Sequence, residues 1–304
     1  MPRILISGAS GLIGKALIPA LERRGDHVYR LVRRERGNQQ EMRWSPIEAV
    51  PPQMVSGYDV VIHLSGESVA GRWTESKKRR IRDSRVISTQ NLATAMAQAE
   101  KPPQTFVCAS AIGYYGNRGD EVLTEKCASG EGFLAELSRE WEEAAQPAAH
   151  AGIRVVNLRI GVVLSPDAGA LKQMLLPFRL GLGGKIGSGR QWFSWIHIDD
   201  LVAAVLHMME HSDLSGPVNM VSPNPVTNAE FTKALTRILR RPAFFAVPAF
   251  AARVAFGEFA EEGLLSSARV LPRKLVESGF RFQHPELHRA LEDLLNRPAK
   301  TMSS

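Results

Sequence analysis

The sequence predicts an α/β protein, a doubly wound parallel sheet carrying a smaller, discontinuous, mainly helical C-terminal lobe. Three observations predict it. Short apolar, β-rich runs recur at 3–8, 27–32, 59–64, 105–110, 154–159 and 217–222. Long amphipathic stretches separate them, and continuous apolar strands alternating with helices imply a parallel sheet buried on both faces. After Arg159 the rhythm changes: residues 161–195 are rich in Gly and Pro, and Pro-punctuated helical segments run on from 223. The chain thus divides into a sheet domain (1–164 plus 196–222), a substrate-side lobe (165–195 plus 223–296) and a frayed tail (297–304). Right-handed crossovers place a ligand at the carboxyl ends of the strands.

With 304 residues, 44 % of them hydrophobic, the chain has material for a large core, which excludes a disordered or fibrous protein. No apolar run reaches the ~18 residues of a membrane span. The N-terminus, MPRILISGAS, enters a strand directly and carries no signal-peptide pattern. Cys108 and Cys127 form neither a CxxC nor a Cys/His zinc pattern, so reduced thiols and a cytoplasmic location are expected. Net charge is +7. The basic run Lys77-Lys78-Arg79-Arg80 sits in a helical segment and reads as a solvated face rather than a nucleic-acid contact. The positive surplus also suits an anionic dinucleotide or a phosphorylated substrate.

The first strand ends in Gly8-Ala9-Ser10-Gly11-Leu12-Ile13-Gly14, and an amphipathic helix follows. Gly8 allows a tight turn, Gly11 a close approach of backbone to a pyrophosphate, and Gly14 close packing of helix on strand. The amides at the helix start, including those of Leu12 and Ile13, then face the phosphates. In this strand–helix context the triad is the Rossmann dinucleotide fingerprint. The second strand tests which cofactor. An acid at its end would bind the ribose 2′-hydroxyl of NAD, but Arg33-Arg34 stand there, with no acid before Glu35. A guanidinium pairs with a 2′-phosphate in bidentate fashion. The expected cofactor is therefore NADP(H), with Arg33 as first choice, Arg34 behind it and Ser10 as a further donor. The alternative is a pair of ordinary surface arginines and a protein that takes either cofactor.

The glycine spacing, His63-Leu64-Ser65-Gly66 and Trp195-Ile196-His197-Ile198-Asp199-Asp200 together resemble the extended short-chain dehydrogenase/reductases, the nucleotide-sugar epimerase and dehydratase superfamily. The segment Ser110-Ala111-Ile112-Gly113-Tyr114-Tyr115-Gly116 and the glycine-rich stretch 175–191 resemble an epimerase-like branch with a small helical C-terminal domain. The resemblance implies a cofactor groove completed by Leu64, Ser65, Gly66, Ser110 and the turn holding Arg159, Gly161 and Val162. Ser65 and Gly66 would lie along the adenosine-side ribose and phosphate, and the turn after 159 would reach the nicotinamide. It also implies a Tyr-x-x-x-Lys pair on the helix after the 105–110 strand. Here Phe133 and Leu137 stand at those places, and neither side chain can move a proton. Substitutes are Ser110, to polarise a carbonyl, and Tyr114 or Tyr115 as the acid. An unassisted phenol titrates near ~10, so it needs a nearby cation. The alternative is that both tyrosines pack the loop against the second lobe.

For the substrate side, Leu180 to Gly189 is glycine-rich and followed by Arg190, Gln191 and Trp192, while Arg72-Trp73 offers an opposite wall. An arginine beside an aromatic platform suits a phosphate-bearing or ring-shaped substrate; the same loop could equally be a lid packed on its own aromatics. His197 and Asp199 read as a helix start, with Asp199 or Asp200 as the cap. The pairs His207/His211 and His284/His288 lack an accompanying acid motif, so no metal is expected. Two functions remain open: an NADP(H)-dependent oxidoreductase or epimerase-like enzyme acting on a small carbonyl or sugar-type substrate, or a non-catalytic NADP(H)-binding sensor or scaffold. A homodimer is expected through segments 75–100 and 131–150, one basic at its start and one acidic. Neither nucleic acid nor membrane is an expected partner.

Overall fold

The computed structural model describes residues 1–34, 37–241 and 246–296. The tail 297–304 and Glu35 lie outside the described residues. The first half of the chain runs β1 (Arg3–Ser7), α1 (Leu12–Arg23), β2 (His27–Val32), β3 (Glu41–Arg43), α2 (Pro52–Val55) and β4 (Val60–His63). It continues through α3 (Glu75–Asp83), α4 (Val86–Ala97), β5 (Thr105–Ala111), a 3-10 turn at Ile112–Tyr115, β6 (Val122–Leu123), α5 (Phe133–Glu143), α6 (Gln146–His150) and β7 (Arg154–Ile160). The second half is built of β8 (Val162–Leu164), α7 (Gly169–Arg179), β9 (Trp192–Phe193), β10 (Trp195–His197), α8 (Ile198–Glu210) and β11 (Gly216–Met220). β12 (Val226–Thr227), α9 (Asn228–Leu239), α10 (Ala249–Phe256), a π-turn at Ala260–Leu264, β13 (Arg269–Val270), α11 (Arg273–Glu277) and α12 (Leu287–Asn296) complete it.

Seven strands form one parallel sheet in the order β11-β7-β5-β4-β1-β2-β3. The period-2 pleat feeds two cores. Ile4 and Ile6 of β1 face the layer of α1 and α8, where Leu17, Leu21, Leu201 and Val205 are sealed; Leu5 faces the layer of α4, α5 and α6 with Leu92, Met96 and Trp141. Burying each such Leu or Ile contributes about 1.5–3 kcal/mol. All six strands expected from apolar runs are present, and the doubly wound parallel sheet stands as predicted. The edge strand β3 gave no such signal, because its three residues are Glu, Met and Arg.

The helical segment that carries the basic run Lys77–Arg80 breaks into α3 and α4 at Ser84–Arg85. The carbonyl of Ile81 explains the break. It accepts the Ser84 hydroxyl (3.0 Å) and the Arg85 guanidinium (3.1 Å), while the Arg85 amide turns to Arg82 instead.

The second lobe is stitched to the sheet by side chains. β13 pairs with β6, and Ser194 Oγ both donates to Ala268 O (2.7 Å) and accepts from Val270 N (3.0 Å). Asp200, 1 % exposed, accepts the amides of Gln283 (2.7 Å) and His284 (2.9 Å).

Candidate functional site

The glycine turn is a cradle shaped by close approach. Gly8 has φ +75°, and a Cβ there would stand 2.7 Å from the Leu64 carbonyl carbon and 2.9 Å from Ser65 N. The loop leaving β4 is therefore pressed against the turn. A Cβ on Gly14 would stand 2.4 Å from Gly8 O, so α1 lies hard against the strand end. Gly11 tolerates more, with 3.2 Å to the same oxygen. α1 starts without a side-chain cap and without an acid in its first turn, which leaves its N-terminal amides and positive dipole end to an anion. Leu12, Ile13 and Gly14 supply those amides, and Ser10 is exposed beside them. This fits a dinucleotide pyrophosphate.

The two arginines after β2 separate in role. Arg33 is exposed and makes no hydrogen bond among the described residues. Arg34 instead donates to Glu41 (2.7 Å), whose other oxygen accepts Gly37 N (2.7 Å). The Gly37 amide first, and Arg34 with it, hold this buried carboxylate below its usual range. Arg34 thus fastens β3 to the loop.

Below Leu64-Ser65-Gly66 runs a buried polar chain. His63 Nδ1 meets Ser7 Oγ at 2.6 Å and its Nε2 meets Ser88 Oγ at 3.0 Å. Ser88 gives its own proton to Ser84 O (2.8 Å), so His63 donates through Nε2 and accepts from Ser7 at Nδ1. Burial pushes the imidazole down to about 3, so it stays neutral. Arg85 closes the loop from the other side. A Cβ on Gly66 would stand 3.0 Å from its Cζ, and its guanidinium lies 5.0 Å from the Trp141 ring. Burial brings Arg85 down to about 10.

The predicted catalytic residues meet around one buried arginine. Arg159, 3 % exposed, holds Glu142 in bidentate fashion (2.8 and 2.8 Å) and donates to the Tyr115 hydroxyl (3.1 Å). Ser110 faces it across the β5–β7 register and donates to Glu142 (2.7 Å). Tyr115 is fully buried, and its hydroxyl also donates towards Asn219 Oδ1 (2.8 Å) and Thr124 O (3.1 Å). Burial pushes its phenol up to about 12. Three of the candidate residues have internal partners here. The Ser110 hydroxyl is committed inside the protein, the Tyr115 phenol has no open face for a substrate, and the Arg159 side chain is spent on Glu142 rather than on a cofactor. Tyr114 differs. It is half-buried, its ring lies 3.4 Å from the Arg159 guanidinium, and its hydroxyl makes no hydrogen bond among the described residues. Gly161 and Val162 are half-buried. Their amides donate to Met220 O (3.1 Å) and Ser194 O (2.9 Å), so they shape the turn and offer no donors.

Where the superfamily resemblance asks for a tyrosine and a lysine, the protein packs apolar groups. Phe133 meets Trp73 edge-on at 5.0 Å, Trp73 meets Phe259 at 5.6 Å, and Leu137 is buried among them. Lys78 Nζ stands 5.3 Å from the Phe133 ring. Trp73, 8 % exposed and bonded to Val69 O, belongs to this core, so it is not a cleft wall. Gln191 is likewise internal, its amide donating to Ile186 O (3.0 Å) and Leu264 O (3.1 Å). Arg72 and Arg190 are exposed, and Trp192 is half-buried.

His197, Asp199, His284 and Asp293 each bring a donor atom within 4.8 Å of one another. The chemistry of His197 does not suit a metal. Its Nδ1 accepts the Asp199 amide (3.1 Å), so the neutral ring carries its proton on Nε2, which faces Asp293 at 3.2 Å. A metal at Nε2 would require the imidazolate. His197 itself caps α8, in place of the expected Asp199 or Asp200; Asp200 turns away to the second lobe. A separate cavity of about 570 Å³, bordered by Met1, Asp59 and Gln104, opens at the amino ends of the strands, away from the glycine turn.

Sequence reasoning missed Glu142, Arg85 and Arg269. A signal for the first existed: an arginine inside the apolar strand RVVNLRI needs a carboxylate to meet it.

Comparison with known proteins agrees with this geometry. Residues 4–221 match the NAD dependent epimerase/dehydratase family, and residues 247–294 match a domain of unknown function (DUF1731). An epimerase family protein of Mycobacterium leprae is 44 % identical over 300 residues, 98 % of this chain and 97 % of its own. The crystal structure of human epimerase family protein SDR39U1, solved with NADPH, superposes with a TM-score of 0.88 at 35 % identity, covering 97 % of this chain and all of that one (100 %). A nucleoside-diphosphate sugar epimerase from Corynebacterium glutamicum gives a TM-score of 0.78 at 38 % identity, over 96 % of this chain and 58 % of the other. With its glycine cradle, its parallel sheet and its relatives in accord, the chain belongs to the NAD-dependent epimerase/dehydratase family.

Proposed function

We propose that this chain binds NADP(H) and uses it in oxidoreduction of a small carbonyl or sugar-type substrate, with Tyr114 as the proton-transferring group in place of the absent tyrosine–lysine pair. The cofactor, when bound, supplies or accepts hydride at its nicotinamide. The glycine cradle holds the pyrophosphate on the amides of α1, and Arg33 takes the 2′-phosphate, a reading supported by the relative solved with NADPH. The observation that carries the catalytic role is the Tyr114–Arg159 stack at 3.4 Å. The stack fixes the ring against a buried cation, with the hydroxyl making no hydrogen bond among the described residues, at the place where the sequence offers no tyrosine–lysine pair. Glu142 tempers that charge but fixes the guanidinium in place.

Two measurements test this. Calorimetric titration should give NADPH binding at least about tenfold tighter than NADH, a gap of roughly 1.4 kcal/mol. Arg33→Ala should lose the preference, and a wild type that binds both equally would defeat the NADP assignment. Across a panel of aldehydes and ketones, substrate-dependent loss of NADPH absorbance should fall about 100-fold or more in Tyr114→Phe, with NADPH affinity unchanged. Full activity in that variant would remove Tyr114 from the mechanism. The packing of Phe133 and Leu137 into an apolar cluster favours a second reading, a non-catalytic NADP(H)-binding sensor or scaffold. In that case the wild type binds NADPH and turns over nothing.

A further inference from the structure

Among the described residues, Arg269 is an arginine that meets no carboxylate. It lies on β13 in the second lobe, half-buried, with its Cζ 4.4 Å from the Trp192 ring centroid. It makes no hydrogen bond or ion pair among the described residues, and its Nε is shut from solvent without an acceptor. A desolvated donor left unmet is costly, and native proteins keep few of them. The neighbouring arginine shows the ordinary solution. Arg118, whose amide donates to Ser267 O (2.8 Å), is held in bidentate fashion by Glu121 (2.8 and 2.7 Å). Arg269, two residues from Ser267, has no such partner.

The platform beneath it is built. Trp192 donates through Nε1 to Asp120 (2.8 Å), and its amide donates to Ser267 Oγ (3.1 Å), so the indole is tied at both ends. Stacking on a fixed indole sets the plane of the guanidinium, and its two Nη groups, which unlike Nε are not shut from solvent, remain open to a ligand. The position also matters. Ser194, which bonds the backbone on both sides of Arg269, packs over Gly161, where a Cβ would stand 2.6 Å from Ser194 O. That is the carboxyl end of β7, the edge of the sheet where a parallel α/β protein receives its ligand.

We propose that Arg269, held flat on Trp192, anchors an anionic oxyacid group, carboxylate or phosphate, of the substrate. This rests on the reading of the chain as a substrate-binding NADP(H) protein and narrows its substrate class to acids. The planar fork matches two oxygens of a carboxylate or phosphate at once, which a neutral sugar or a simple ketone does not offer.

The test needs no turnover. Benzoate, phenyl phosphate and neutral benzamide are titrated calorimetrically into NADPH-saturated wild type, Arg269→Gln and Arg269→Lys. One of the anions should bind at least about tenfold more tightly than benzamide. Arg269→Gln should abolish that preference, and Arg269→Lys, which keeps charge but not the fork, should retain only part of it. Which anion binds decides between carboxylate and phosphate. Removing Arg269 breaks no hydrogen bond among the described residues, so the fold should hold, as an unchanged melting temperature would confirm. A wild type that binds neither anion better than benzamide overturns the proposal, and so does a preference that survives Arg269→Gln. NADPH affinity, measured alone, reports separately on the cofactor reading. Its loss would sink that reading and leave the Arg269 comparison interpretable, because anions settling on the glycine turn would be indifferent to Arg269→Gln.

Discussion

His63 and Arg159 occupy comparable places, each at the carboxyl end of a buried strand, and they resolve burial in opposite ways. Arg159 keeps its charge because Glu142 meets it in bidentate fashion; burial alone would lower its pKa, but the carboxylate and the Tyr115 hydroxyl raise it above the ordinary arginine value. His63 has only hydroxyls, so it stays neutral, pushed down to about 3 by burial. The linkage follows with a definite sign. In the unfolded chain the imidazole takes a proton below about 6.5, while in the folded protein it resists until about 3. The unfolded state therefore binds more protons through this window. Stability is full above 6.5 and falls by up to about 1.4 kcal/mol per pH unit as the pH drops towards 3. His63→Asn can satisfy Ser7 and Ser88 without titrating. Denaturation curves at several pH values should show this variant less stable at pH 8 yet missing that part of the acid slope. Parallel slopes for the two proteins would mean that His63 titrates normally.

At the scale of elements, the decisive ones are α3, α4 and α5. The break between α3 and α4 turns Arg85 back against Gly66, and Ser84 Oγ accepts the Glu67 amide (2.9 Å), so a helix interruption holds the loop beside the glycine cradle. α5 begins without a cap of its own. Gly132, at φ +100°, precedes it, and its first amides, Phe133 N (2.9 Å) and Leu134 N (2.7 Å), donate to the two oxygens of Glu262 from the second lobe. One lobe thus caps a helix of the other, and the carboxylate also meets the positive end of the helix dipole. Glu262→Gln keeps one acceptor and loses the charge. It should cost about 1–2 kcal/mol in chemical denaturation. An unchanged midpoint would mean that water replaces the cap at no loss.

For the whole molecule, the same pattern of borrowed partners explains why the lobes read as separate in sequence and are joined in space. β6 pairs with β13, and Asp200 holds the 283–284 turn. The charge complementarity expected across a dimer is met inside one chain. Arg82 of α3 pairs with Glu140 (2.9 Å) and lies 4.0 Å from Glu136, both on α5. The basic and acidic segments therefore supply no argument of their own for homodimerisation.

The sequence by itself determined the sheet, the glycine cradle and the loss of the tyrosine–lysine pair. These are local in cause: apolar runs with a period, glycines where a Cβ meets backbone, and side chains incapable of proton transfer. Arg33 also stands where the end of β2 placed it. The tertiary structure decided which polar residues remain available. Arg34, Ser110, Tyr115, Arg159, Trp73 and Gln191 look functional in one dimension, and each is bound to a partner 7 to 104 residues away, or to a core, that no local pattern names. Tyr114 and Arg269 stand apart for the converse reason. A hydroxyl without a bond and a guanidinium without a carboxylate, among the described residues, are properties of the surroundings, and the surroundings exist only once distant strands and loops have been brought together.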